Sequence, residues 1–168
     1  MLIVVVLETK NKSGSDFYYL KSILQKFYKE RGSGIKIQPV FMNGKGYYRN
    51  IEKNIKNFTK QYLGDNKTIY FCDIDSEDLE FNQQQLNKEI IEYCNSNGFE
   101  IVWFNKTIED VLIGNTIAKN KSKIAEDYYI KNKIKDVNIN NLNIETFNKI
   151  TQHKSNVLSV LDKYLPRI

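Results

Sequence analysis

The run LIVVVLE, residues 2 to 8, restricts the possible folds more than any other part of the sequence. It is a continuous apolar run rich in β-branched residues, with no alternation of polar side chains. Such runs are typical of strands that are buried on both faces, and these occur mainly in parallel sheets covered by helices. The run is too short to span a bilayer, has no basic leader and ends in a charged segment. We therefore expect a buried strand rather than a signal peptide or a membrane anchor.

Three further apolar runs have the length of strands, at residues 35 to 42, 67 to 73 and 99 to 105. The segments between them repeat apolar residues at helical spacing, which predicts a helix between successive strands. This order predicts an α/β fold of three layers, α/β/α, with a mostly parallel four-stranded sheet and right-handed crossovers. Pro39 lies inside the second run and cannot donate a ladder hydrogen bond, so that strand should lie at a sheet edge.

A chain of 168 residues with 41% apolar residues can bury one substantial core, so we expect one domain. The part after Gly114 is rich in Asn, Lys and Ile and has no strand-like run. We therefore expect an α/β part over residues 1–114 and a helical C-terminal extension over residues 115–168, packed on the same domain. Cys72 and Cys94 are few and widely spaced, as buried thiols in a reducing compartment are, which favours a cytoplasmic protein.

Acidic residues stand where two of the predicted strands end. Glu8 closes the first apolar run, and Asp73 and Asp75 follow the third. The strand order 2-1-3-4 would place these ends side by side, at the edge where α/β sheets bind ligands. Carboxylates gathered there repel one another unless a hard cation joins them, so we predict a site for Mg²⁺ or Mn²⁺. The alternative is that the acids are ordinary turn and helix-cap residues.

These residues resemble the TOPRIM domain of topoisomerases, primases, OLD-type nucleases and RloB-like proteins. The features shared are an apolar strand ending in Glu, a helix that starts with a small residue and an acid, here Gly14-Ser15-Asp16, and a later strand ending in Asp-x-Asp. The resemblance covers residues 2 to 112. It implies phosphodiester chemistry with magnesium, held by Asp73 and Asp75, and a role for Glu8 as a general acid or base or as a metal ligand. This sequence has Thr9 after Glu8, where the family usually has Gly, and a short insertion follows.

A second match is to the RloB-like branch, in which Asn-Pro-x-Phe-Glu follows the fourth strand. Here the corresponding segment is Asn105-Lys106-Thr107-Ile108-Glu109, with Lys106 in place of the proline. The resemblance implies that Glu109 is an accessory acid at the same edge. The alternative is that Thr107 caps a helix and that the following acids complement its dipole.

The segment NGKG, residues 43 to 46, follows the second strand and should lie at the same edge. Gly44 and Gly46 permit close approach of a backbone to phosphate, and Lys45 offers a positive charge, so we predict a phosphate contact. A solvated turn is the alternative. His153 is the only histidine and has no partner residue nearby in sequence, so we expect it at the surface or at a helix start.

We therefore predict a magnesium-dependent phosphodiesterase that acts on nucleic acid, DNA or RNA, by in-line attack of water, in a defence-related system. The formal charge of +5 permits a polyanionic partner without requiring one. The second hypothesis is a non-catalytic module that binds nucleic acid or a partner ATPase. The third is a flavodoxin-like regulatory domain phosphorylated at an aspartate, which is weaker because the first strand ends in a single acid.

Overall fold

The computed structural model describes residues 1–29, 34–75, 81–144 and 152–168. The strands are β1 (Leu2–Leu7), β2 (Lys36–Phe41), β3 (Asn66–Asp73), β4 (Glu100–Asn105) and β5 (Lys154–Ser155). The α-helices of the described part are α1 (Ser15–Phe27), α2 (Glu52–Gln61), α3 (Phe81–Asn97), α4 (Ile108–Ile113), α5 (Lys121–Ile130) and α6 (Val157–Leu161). Short 3₁₀ turns occur at Lys45–Tyr47, Lys133–Asp136 and Ile139–Leu142.

The fold is α/β, and its sheet has the order β2-β1-β3-β4-β5. The first four strands are parallel, so the prediction of a mostly parallel sheet is confirmed, and they stand in the order 2-1-3-4 that a meeting of the acids requires. The edge position of β2 is also confirmed, because β2 pairs with β1 at one end of the sheet, with Pro39 opposite Val5.

The prediction of a four-stranded sheet was wrong, because β5 adds a fifth strand. It is antiparallel to β4, with Ser155 opposite Phe104 and Lys154 opposite Asn105. A strand of two residues is too short to produce a periodic pattern, and it lies in the part of the chain for which we expected only helices. The Asn156 side chain extends the pairing, since its Oδ1 accepts from Trp103 N at 2.8 Å.

Two cores form on the two faces of the sheet, and β1 contributes to both. Because side chains alternate along a strand, Ile3, Val5 and Leu7 pack with α1, α4, α5 and α6. Leu2, Val4 and Val6 face the opposite way, toward α2 and α3. This arrangement explains why the first run is apolar at every position. Burial of both cysteines is confirmed, and both thiols are free.

The parallel arrangement brings the ends of β1, β3 and β4 to one edge of the sheet, which we call the carboxyl edge. The loop after β2 reaches the same edge, where Gly44 N donates to Glu8 O at 2.7 Å. The segment 76–80 after β3, where a cap for α3 would lie, falls outside the described residues.

Candidate functional site

Glu8 and Asp73 are brought together at the ends of neighbouring strands. The backbone N–H of Asp73 donates to Glu8 Oε1 at 2.8 Å. Asp73 Oδ1 in turn accepts from Ile108 N at 2.9 Å, which ties the end of β3 to the start of α4. Asp73 therefore connects three parts of the carboxyl edge: the end of β1, the end of β3 and the start of α4.

The carboxyl group of Asp73 lies among other acids. Its pKa is raised well above its usual value, first by burial and then by the negative charges of its neighbours. These neighbours are Glu8, Asp16, Glu109 and Asp75. We call these five acids the carboxylate cluster. All four acids predicted from the sequence are in it, together with one acid to which no role was assigned.

Lys45 is a buried cation that contacts two members of the cluster. Its Nζ donates to Asp73 O at 2.6 Å and to Asp75 Oδ2 at 2.7 Å, and its side chain is only 5% exposed. A solvated turn therefore does not describe this lysine. Gly44, at φ 111°, requires a conformation that favours glycine, whereas a side chain at Gly46 would meet no atom within 4 Å. Contact of Lys45 with phosphate stays a prediction.

Asp75 has a backbone conformation that few residues adopt. Its φ is 62°, in the left-handed region, where Asp is among the better tolerated residues. Its N–H donates to Lys106 O at 2.9 Å, which connects the chain after β3 to the chain after β4. The carboxylate contacts Lys45, and the Asp75 side chain stays 38% exposed.

Asp16 is the member of the cluster to which the sequence assigned no role. At the start of α1, its Oδ2 accepts from Thr9 N at 3.2 Å. Burial and, next, the charge of Glu109 raise its pKa to about 6. A Cβ at Gly14 would collide with the Thr9 side chain, so glycine allows the insertion to fold back and bring Asp16 to the end of β1. The signal was present in the sequence as the acid that follows Gly14 and Ser15.

Glu109 lies deepest in the cluster, with 1% of its surface exposed. Its Oε2 is buried and, among the described residues, has no hydrogen-bond partner. Lys121 Nζ lies 3.7 Å from this oxygen. The expected cap is present, since Thr107 Oγ1 accepts from Asp110 N at 3.2 Å. The cap does not explain why Glu109 Oε2 is buried without a hydrogen-bond donor. Burying such an oxygen costs free energy unless a donor or a bound cation satisfies it.

Glu8 titrates in an unusual range. Burial raises its pKa to about 8, while the charge of Lys45 and the hydrogen bond from Asp73 N oppose the rise. The negative charges of Asp75 and Asp16 add to it. A carboxyl group with this pKa can both accept and release a proton near neutral pH.

The donor chemistry of the cluster fits a hard cation, since carboxylate oxygens are the ligands that Mg²⁺ and Ca²⁺ prefer. The unpartnered Oε2 of Glu109 is one such oxygen. In the described ranges, no group of three or more His, Cys, Asp or Glu side chains stands in a metal-holding arrangement. Glu8, Asp73 and Asp75 would therefore need side-chain rotations to bind one ion, and Asp75 would have to exchange its contact with Lys45.

A basic strip runs along α2, the helix that follows the Lys45 loop. Lys53, Lys56 and Lys60 on this helix, together with Arg49 just before it, line an open groove of about 450 Å³. Lys56 pairs with Glu52, one turn away. Because α2 begins soon after the Lys45 loop, the Arg49 end of the strip points toward the carboxyl edge.

Within the residues described, no helix has the length and apolar character needed to cross a membrane. Comparison with known proteins finds no family model, no curated protein and no solved structure that matches this chain.

Proposed function

We propose that this chain is a magnesium-dependent phosphodiesterase of nucleic acid, built on a three-layer TOPRIM-like domain. The observation that carries the proposal is the carboxylate cluster at the carboxyl edge. It collects five acids, of which Asp75 pairs with Lys45 and Glu109 lies near Lys121. Partly buried like charges destabilise the folded state, so an arrangement of this kind points to a positively charged ligand.

The chain's own residues supply the remaining chemistry. Asp73 and Asp75 would hold the ion, with Glu8 completing the set or accepting a proton from water. Bound magnesium would supply charge stabilisation for the phosphate oxygens and for the attacking water. Glu8, with a pKa of about 8, suits proton transfer near neutral pH. Glu109 would remain an accessory acid behind them.

Nucleic acid is supported as the substrate by the distribution of positive charge. The chain has a formal charge of +5, and the basic strip of α2 leads toward the carboxyl edge. Lysine and arginine rows of this kind attract phosphate backbones without reading the base sequence. The strip therefore favours a polymeric phosphodiester over a small phosphate ester.

The test of the proposal is magnesium binding by calorimetry in Asp73→Asn. Asn keeps an oxygen to accept from Ile108 N and removes the charge, so the fold should persist. We expect magnesium affinity to fall at least about tenfold. Asp127→Asn is the matched control, since Asp127 is half exposed and pairs with Lys131 on α5. Equal magnesium affinity in Asp73→Asn and wild type would exclude this site.

One observation favours the second hypothesis, a non-catalytic module that binds nucleic acid or a partner ATPase. Lys45 already pairs with Asp75, so part of the cluster is neutralised without a metal. A protein that binds oligonucleotides, binds no magnesium or manganese and cleaves neither DNA nor RNA would support this module over the enzyme.

A further inference from the structure

An Asp–His pair lies beside the carboxylate cluster. His153 Nδ1 is 3.1 Å from Asp110 Oδ2 and 3.2 Å from Asp110 O. Asp110 is buried, with 4% of its surface exposed, whereas the His153 side chain is 44% exposed. One end of the ring is therefore fixed against a buried carboxylate, and the other end is left accessible.

The contacts define which ring nitrogen carries hydrogen. Both neighbours of Nδ1 are acceptors, a carboxylate oxygen and a carbonyl oxygen, so Nδ1 is the donor. In the neutral ring this leaves Nε2 with a lone pair, and in the protonated ring it leaves Nε2–H directed away from Asp110. A histidine oriented through Nδ1 by a carboxylate is suited to move a proton at Nε2.

The backbone also holds His153 in place. Its N–H donates to Asn105 O at 2.7 Å, and its φ of 60° lies in the left-handed region. Such conformations occur at low frequency in residues other than glycine and are found at functional sites when surrounding contacts fix them. The backbone of His153 is thereby anchored to the end of β4, while its ring contacts Asp110 on α4.

The pair and the carboxylate cluster share one peptide segment. Lys106 N donates to Asp110 Oδ2 at 3.1 Å, and Lys106 O accepts from Asp75 N at 2.9 Å. Asp73 Oδ1 accepts from the amide of Ile108, two residues further on. Amides two residues apart are separated by at most about 7 Å, so the two sites lie side by side at the carboxyl edge.

From this geometry we propose that Asp110 and His153 form a proton-donating dyad, in which His153 Nε2 contacts the leaving oxygen of a phosphodiester bound at the carboxylate cluster. The proposal rests on the proposed function and deepens it. His153 is the catalytic residue of the dyad, and Asp110 is a positioning residue. Sequence reasoning missed the pair because Asp110 and His153 are 43 positions apart.

The step balances without any further reactant. The water oxygen forms a bond to phosphorus, and the bond from phosphorus to the leaving oxygen breaks. A proton of the water passes to Glu8, and the proton on His153 Nε2 passes to the leaving oxygen, which departs as an alcohol. Solvent then returns a proton to Nε2. Transfer of a proton to the leaving group contributes most when that group is a poor one, as a nucleotide hydroxyl is.

The test uses His153→Asn, because Asn can keep the donor to Asp110, tolerates a positive φ and lacks Nε2. Cleavage is measured with an oligonucleotide and with thymidine 5′-p-nitrophenyl phosphate, whose leaving group needs no proton. We expect a loss of about 100-fold or more with the oligonucleotide and a much smaller loss with the p-nitrophenyl ester. Lys163→Gln, in the ion pair with Glu100 at the start of β4, is the control for a surface change. Equal losses with both substrates, or no loss with either, would overturn the proton-donating role.

A second measurement does not depend on turnover. His153 is the only histidine, so its ring nitrogens give unambiguous nitrogen-15 signals. We expect the neutral ring to carry its hydrogen on Nδ1, and we expect its signals to shift when a phosphorothioate oligonucleotide is added, but not with thymidine alone. Hydrogen on Nε2, or no shift with the oligonucleotide, would overturn the dyad. Wild type that cleaves neither substrate would instead overturn the proposed function, and the proton transfer with it.

Discussion

At the scale of single residues, Lys45 is a buried cation that neutralises part of the carboxylate cluster. Its Nζ donates to Asp73 O and to Asp75 Oδ2, and its contact with phosphate stays a prediction. Breaking a buried ion pair costs about 3–5 kcal/mol, and less where one partner is solvated, as Asp75 is at 38% exposure. We therefore expect Lys45→Met to lower the free energy of unfolding by about 1–3 kcal/mol.

The measurement is urea denaturation at pH 6 and at pH 8.5. The free energy of unfolding should fall more at pH 8.5, because more acids of the cluster are ionised there and the Lys45→Met variant lacks the cation beside them. Lys53→Met, on the exposed face of α2, removes the same charge from solvent and should change stability by less than about 0.5 kcal/mol. Equal effects of the two substitutions would contradict the role assigned to Lys45.

The second prediction for a single residue concerns the role of Glu8 in cleavage. Glu8→Gln keeps an oxygen that can accept from Asp73 N and removes the group that accepts a proton. If Glu8 activates water, cleavage of a labelled oligonucleotide in magnesium should fall about 100- to 10,000-fold, with oligonucleotide binding little changed. Equal cleavage by the variant and wild type would leave Glu8 as the end of a strand and nothing more.

At the scale of elements, the sequence predicted the strands and helices that are long enough to show a periodic pattern of apolar residues. The order of the strands was only a condition for the acids to meet, whereas the four parallel strands and the edge position of β2 followed from apolar runs, helical spacing and Pro39. The fifth strand did not, because two residues carry no periodicity and their pairing depends on β4 and on the amide of Asn156. The pairing of Asp110 with His153 was equally inaccessible, since it depends on where β5 returns to the sheet.

The prediction for a single element concerns the binding of nucleic acid by the basic strip of α2. If its basic strip contacts a phosphate backbone, each lysine that contacts phosphate contributes about one unit to the slope of log affinity against log salt. Lys53→Ser combined with Lys60→Ser should therefore lower the slope by about two units without preference for base sequence. Lys133→Ser combined with Lys135→Ser, in the 3₁₀ turn after α5, removes the same charge elsewhere and is the control. An unchanged slope in the α2 variant would exclude the strip as a nucleic-acid surface.

At the scale of the whole molecule, the parallel sheet explains why distant acids meet. Asp73 ends β3, and Glu8 and Glu109 come after β1 and β4. Parallel strands direct all their carboxyl ends to one edge. That meeting could be predicted from the sequence. The sequence could not predict how deeply the acids are buried, that Lys45 lies among them or that Asp16 joins them. Each of these depends on how a loop folds against its neighbours.

The same cluster predicts how the stability of the whole chain depends on pH. The pKa of Glu8 rises from 4.5 to about 8 on folding, that of Asp16 rises from 3.8 to about 6, and that of Asp73 rises well above its usual value. An acid whose pKa is raised by folding binds more protons in the folded state than in the unfolded state. Its contribution to stability is therefore complete below the unfolded pKa and is lost as pH rises through the folded pKa. Without metal, the melting temperature should therefore fall between pH 5 and pH 8.5.

Net charge would act in the opposite direction, which makes the measurement decisive. The pI is about 9.0, so the general positive charge falls as pH rises, and repulsion across the molecule decreases. A falling melting temperature would then come from buried groups with raised pKa values, and Glu8→Gln should remove the part that Glu8 causes between pH 6.5 and pH 8.5. Magnesium should raise the melting temperature more at pH 8.5 than at pH 6, because ionised carboxylates bind it and protons compete. A melting temperature that rises from pH 5 to pH 8.5 in the absence of metal would show that these acids are not held protonated by the fold.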